Sequence, residues 1–337
     1  MHPIARSTAL AGAIASLAMS LAGCGKPETP APAAAPAAAP RTATAPADAE
    51  QGASAEAVAK QARAGLSCPA KSASPPRAAN APVDDVLGVR PGVGYEEAKS
   101  MVLCTQDLLV ATDEKGRGFD IKVPQPQLVR QGFSARMAEP RVVKTGKQIV
   151  QEMQRDAMAR GANAIREDLK PGQMKWFVAT MGVPGRESVL SVAREERFSA
   201  EQPQTVANVT AALLKKYGTP TRDQHATATQ LPLIRWAYDP MGRLLTETSP
   251  LFGKCMGMTD PNGSVNLSPD CGIVVQAMLI PQKANPDLVD RLQVGVVDQA
   301  GGYRMIAETE RALGQADEQR RAQEVAKANR NAKGPSL

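Results

Sequence analysis

Histidine is the side chain whose unperturbed pKa suits proton transfer near neutral pH, and beyond the first 24 residues the chain carries one, His225, in the polar stretch TRDQHATATQ. Neither a Gly-x-Ser-x-Gly elbow nor a His-Glu-x-x-His pair accompanies it, which argues against a serine-hydrolase triad and excludes a zinc protease. A surface histidine is expected. Adjacent carboxylates occur at Asp84 and Asp85, Glu96 and Glu97, and Glu195 and Glu196. Two such groups facing each other across about 5–9 Å would suit glycoside hydrolysis. Neighbours on a helix or strand point apart, however, and solvated faces account for these pairs. The stretch DPNGSVNLSPD sets Asp260, Asn262 and Ser264 at calcium-loop spacing. Val265 stands where that loop needs glycine and Cys271 where it needs glutamate, so an EF-hand is excluded and an exposed loop is expected. GVRPGVG supplies Gly88, Gly92 and Gly94, but Glu97 replaces the next glycine of a dinucleotide fingerprint, leaving a turn. The expectation is therefore no catalytic residue, no cofactor and no metal.

The elements that would position these residues form two loosely similar halves. In the first, a helix from about Tyr95 to Leu103 follows the glycine turn. LLVATDEKGRGFDIKV alternates around a Lys-Gly turn as a hairpin. A helix from about Thr145 to Arg160 carries Ile149, Val150, Met153 and Ala157 on one face, and MKWFVATMGVPGRESVLSVARE turns at VPGR as a second hairpin. In the second half, Val206, Val209, Leu213 and Tyr217 recur at helical spacing until Gly218 and Pro220. LPLIRWAYDPMGRLLTE reads as a hairpin around DPMG, and CGIVVQAMLI and DRLQVGVVDQA as further strands. The expected fold is α+β: two small modules of antiparallel sheet, each with helices on one face, at 66–196 and 197–304. Residues 305–337 form a polar helix or tail, with Met305, Ile306 and Leu313 at packing positions.

The leader explains where such a chain would reside. MHPIAR brings a positive charge, an apolar run from Ala9 to Leu21 follows, and small residues close it at Ala22 and Gly23, the order of an export signal. The run is shorter than the about 20 residues of a spanning helix. Leu21-Ala22-Gly23-Cys24 resembles the bacterial lipobox. That resemblance implies a signal peptide over 1–23, diacylglycerol on Cys24 and acylation of the new amine, hence a palmitate-type anchor. Gly25 after the cysteine implies the outer membrane, facing the periplasm. Two or more acyl chains hold a protein stably, each buried methylene contributing about 0.8 kcal/mol. From Cys24 to residue 65 the chain is rich in Ala, Pro and Thr, a disordered linker by composition; within it SAEAVAKQARAG offers a short helix with Ser54 as cap and Gly65 as stop.

Export bears on the other four cysteines, because the periplasm favours disulfides. Four cysteines admit three pairings. Cys68 with Cys104 and Cys255 with Cys271 are expected, since each pair lies in one half and closes a short loop. Spacings of 36 and 16 residues lack the close knuckle of a zinc site. Aromatic residues are 3% of the chain, so the core must rest on Val, Leu, Met and Ala, and a net charge of +6 without basic–aromatic alternation excludes a nucleic-acid footprint.

A strand, then GVRPGVGYEEA before an amphipathic helix and meandering strands, resembles the small outer-membrane lipoprotein modules of the SmpA/OmlA type and the tandem modules of beta-lactamase inhibitor proteins. This implies a binding or scaffolding protein without catalysis. The expected partner is another envelope protein, with the membrane engaged through the lipid on Cys24. An enzyme inhibitor or immunity-type protein, and a carboxylate-dependent cell-wall hydrolase, are the alternatives.

Overall fold

Chain direction is set by caps and glycines before packing acts. In this computed structural model residues 52–70, 73–113, 121–123, 128–141, 144–151, 153, 169–224, 232–257, 259–263, 265–331 and 334 are described; all belong to one compact unit. Helix α1 (Ala55–Ala62) starts at Ser54, whose hydroxyl accepts from the Ala57 N–H. Arg63, just past its end, donates to the Leu103 and Gln106 carbonyls, so this part of the expected linker is docked on the body. Gly88 and Gly92 adopt positive φ in the turns leading to α2 (Tyr95–Leu103). Then come β1 (Leu109–Asp113), β2 (Gly132–Met137), β3 (Met174–Met181), β4 (Ser188–Arg197) and the two-residue β5 (Gln204–Thr205). Thr205 caps α3 (Val206–Tyr217), and Gly218 ends it at φ 80°. Strands β6 (Arg222–Gln224), β7 (Leu233–Ala237), β8 (Ile273–Pro281) and β9 (Leu288–Asp298) lead into α4 (Gln299–Asn331).

The strands join one antiparallel sheet in the order β1-β2-β3-β4-β9-β8-β7-β6, with β5 on β9. Apart from the two-residue β5, each half of the chain supplies four strands, and the last of each meet at the centre, β4 pairing with β9 from Ser191↔Val297 to Arg197↔Arg291. Where two modules were expected, the sheet is therefore continuous. The expected β1 hairpin is also different: β1 pairs with β2, Leu109 opposite Met137. Its Lys-Gly turn lies outside the described residues, and Ile121 is buried in an apolar cluster with Phe177. The VPGR hairpin forms as read, β3 on β4. DPMG makes the turn, but the strand after it is reduced to a bridge from Tyr238 to Leu244.

Both faces of the sheet are covered. On one, Tyr95, Ala98 and Val102 of α2 and Val209, Leu213 and Tyr217 of α3 pack over Phe133, Trp176, Val192, Val275 and Trp236. Tyr95 meets Phe133 edge-on at 5.5 Å, and Tyr217 meets Trp236 at 5.1 Å. On the other face lie Met305, Ile306 and Leu313 of α4, together with the connection from Asp239 to Cys271, whose Leu245, Leu251 and Leu267 pack on Ala237, Val274 and Val297. Helices thus occupy both faces rather than one. The register between β3 and β4 skips Leu190, since Ala179 pairs with Ser191 and Thr180 with Val189; Val189 and Leu190, each fully buried, join the clusters on opposite faces. Helix α4 begins six residues before the expected tail. Its first turn contains Gly301 and Gly302, where a Cβ would strike Asp298 and Leu267 respectively.

Candidate functional site

Cys24 and His225 lie outside the described residues. Cys68 is bonded to Cys104 and Cys255 to Cys271, the pairing expected from the sequence. Each of these carboxylates has a cation or a hydrogen-bond donor; Glu96 is 71% exposed, on a solvated face as expected, whereas Asp84, Asp85 and Glu195 are withdrawn from solvent. Asp84 and Asp85 do not point apart: both converge on Arg77, at 2.7 and 2.8 Å, with side chains only 14% exposed. Glu96 pairs with Arg130, while Glu97 accepts from the Ala73 N–H at 3.0 Å and the Ser74 hydroxyl at 2.8 Å. Glu196 takes Arg194 at 2.6 Å.

Glu195 sits in the most unusual setting. Strand register places Arg136, Lys175, Glu195, Gln293 and Met278 in one row across β2, β3, β4, β9 and β8. The face they share would read as solvent-exposed from strand alternation, yet Lys175 and Glu195 are 5% and 3% exposed. Lys175 Nζ lies 3.3 Å from Glu195 Oε2, to which the Gln293 amide also donates at 3.2 Å, and Arg291 lies 3.7 Å from Oε1. The cover is the segment expected to be an exposed calcium-like loop. Its Asn262 Oδ1 accepts from Lys175 Nζ at 2.6 Å, so this oxygen faces an ammonium group instead of a metal. Among the described residues no group of three His, Cys, Asp or Glu could hold a metal ion.

A second polar row runs parallel to the first: Arg222, Arg235, Gln276 and Gly295 on β6, β7, β8 and β9. Gly295 allows the cover to approach, because a Cβ there would lie 2.6 Å from Thr259, whose hydroxyl bonds Ser191 at 3.2 Å. Arg235 is 7% exposed. Its guanidinium donates to Gln276 Oε1 at 2.7 Å and to the Met256 sulfur at 3.0 Å. Burial first, and then the charge of Arg222, hold it below its ordinary value. Sequence periodicity signalled neither row, since long-range cover decides whether a polar strand face is wet or dry.

Two features lie at the surface. A pocket of about 290 Å³ opens at the start of α2, lined by Tyr95, Glu96, Arg130, Arg186 and Glu187. The buried Glu187 carboxylate there accepts from the Gly185 N–H at 2.9 Å and the Arg130 N–H at 3.2 Å. The other is the helix beginning at residue 146, of which 146–151 and 153 are described. Thr145 and Gln148 cap it reciprocally: the Gln148 side chain accepts from the Thr145 N–H at 2.9 Å, and Thr145 Oγ1 from the Gln148 N–H at 3.4 Å. Ile149, Val150 and Met153 on this helix are 47%, 53% and 64% exposed. Ala157, expected on the same face, lies outside the described residues.

No protein-family model matches the chain, and no curated protein and no solved structure is found to match it.

Proposed function

We propose that the chain is a noncatalytic, lipid-anchored protein of the bacterial envelope that binds or scaffolds a second envelope protein, the anchor being Cys24 and the membrane the outer one. The leader and the lipobox-like LAGC support the anchor, and two disulfides suit an oxidising compartment. The mirrored placement of four strands from each half, with α2 and α3 over the same face, supports reading the body as two fused modules.

The observation that carries partner binding is the helix from residue 146. A helix in a globular protein draws most of its stability from packing an amphipathic face. This one is nucleated by its own capping box, yet leaves Ile149, Val150 and Met153 in water. A protein surface with a complementary apolar groove would cover them, in the manner of a helix read through anchors one turn apart.

The test is site-specific photo-crosslinking in the native envelope, with the reactive group at Met153 and, for comparison, at exposed Gln319 of α4. One stoichiometric adduct from position 153, identified by mass spectrometry and lost in Cys24→Ala, is the expected result. Absence of any adduct from protein shown to be lipidated and folded would reject the reading.

A further inference from the structure

An arginine inside a sheet normally carries its counter-ion with it, because removing a charge from water costs several kcal/mol unless it is paired. Glu195 meets that requirement for Lys175 and Arg291. Arg235 has no such group: among the described residues no carboxylate lies within ion-pairing distance of it, and its Nε–H, fully buried, has no acceptor. Among the described residues its acceptors are one neutral amide and a thioether sulfur, the latter among the weakest acceptors in proteins. Directly opposite on β6 stands a second cation, Arg222. Like charges at paired positions of a sheet destabilise it. Among the described residues the carboxylate paired with Arg222 is that of Glu247, at 3.8 Å, and the two side chains are 44% and 62% exposed.

We propose that Arg235, with Arg222 beside it and Gln276 orienting it, binds a small oxyanion, a carboxylate or a phosphate group. The ligand enters at the β6 edge of the sheet, passes Arg222, and replaces the Met256 sulfur as acceptor for the buried guanidinium. An arginine fork matches both anions, and bringing in one negative charge relieves both the burial of Arg235 and its repulsion with Arg222. This site is separate from the exposed helix and does not depend on partner binding.

Thermal unfolding of the intact purified protein tests it, in sodium phosphate and in sodium acetate, each against sodium chloride at matched pH and ionic strength. The expected result is an anion-specific, saturable rise in Tm, and the effective anion identifies the ligand class. Arg222→Gln should weaken the apparent affinity at least tenfold. Arg235→Met should abolish the rise and itself raise Tm in chloride, since it removes an uncompensated buried charge. Absence of an anion-specific rise, a rise that survives in Arg235→Met, or an undiminished apparent affinity in Arg222→Gln overturns the proposal. Should Arg235→Met not fold, Arg222→Gln, whose side chain is at the surface, still decides it.

Discussion

The Tyr217 hydroxyl donates a 2.8 Å hydrogen bond to the main-chain carbonyl of Asp85, fastening the end of α3, in the second half of the chain, to the segment that precedes α2 in the first. The ring is 6% exposed and packs on Trp236, while the next residue back, Lys216, reaches the Asp85 carboxylate at 2.7 Å. Tyr217→Phe keeps the ring and removes the bond. A loss of about 1 kcal/mol is expected, read as a lower denaturation midpoint with unchanged m value.

Asp85 should also shape the acid limb of stability. Burial pushes its carboxyl up, but hydrogen bonds from Lys216, Arg77 and the Gly88 N–H outweigh this and hold it below the ordinary 3.8. A carboxyl whose folded pKa is depressed contributes stability in full above its unfolded value, and that stability is lost as pH falls through the folded value. Asp85→Asn should therefore lower stability at neutral pH and flatten its decline below about pH 4. Denaturation at a series of pH values from neutrality downward checks this. Asp113, likewise depressed against burial by Lys99 and Tyr95, leaves a residual slope in the variant.

The Glu195 cluster predicts an asymmetry. Glu195→Gln takes from the buried Lys175 its carboxylate partner and from Arg291 one of its carboxylates, and should cost about 3–5 kcal/mol. Replacing both partners, Lys175→Met with Glu195→Leu, should recover most of that loss, because well-packed apolar groups of similar volume substitute for a buried pair at little cost. A double-mutant cycle by chemical denaturation, with Lys175→Met and Glu195→Leu also made singly, measures the coupling; equal losses in the single and double variants would contradict it.

These rows mark where sequence reasoning stopped. The strands of β3, β4, β8 and β9 and the helices α2 and α3 were legible, because their periods and bounding glycines are local. The cysteine pairing was legible from parity and loop length. Strand β2 was not: Phe133, Ala135 and Met137 do alternate, but a nearer apolar stretch offered β1 an apparent partner across a shorter turn. Nor was the start of α4, where Gly301 and Gly302 oppose helix propensity and are accommodated because Asp298 and Leu267 leave no room for a side chain. Lys175, Glu195 and Arg235 occupy positions that alternation assigns to solvent. What dries them is a connection from Asp239 to Cys271, and no local pattern states where a connection will lie.

That cover is itself open to test through Gly295. The Cβ of an alanine there would lie 2.6 Å from both Thr259 Cγ2 and the Thr259 carbonyl oxygen, and a backbone oxygen cannot yield as a flexible side chain does. Thr259 is 3% exposed and bonded to Ser191, so the clash must be relieved by lifting the segment around it rather than by a rotamer change. Overpacking of this kind costs about 1–3 kcal/mol. Gly295→Ala should accordingly lose stability in that range and become sensitive to proteolysis near Thr259 and Asn262 while the Cys255–Cys271 bond stays intact. Gly253→Ala, where a Cβ meets nothing within 4 Å, should change neither. Cleavage sites mapped by mass spectrometry distinguish the two, and a Gly295→Ala protein cut no faster than the parent would show that the connection does not rest on the sheet at this glycine.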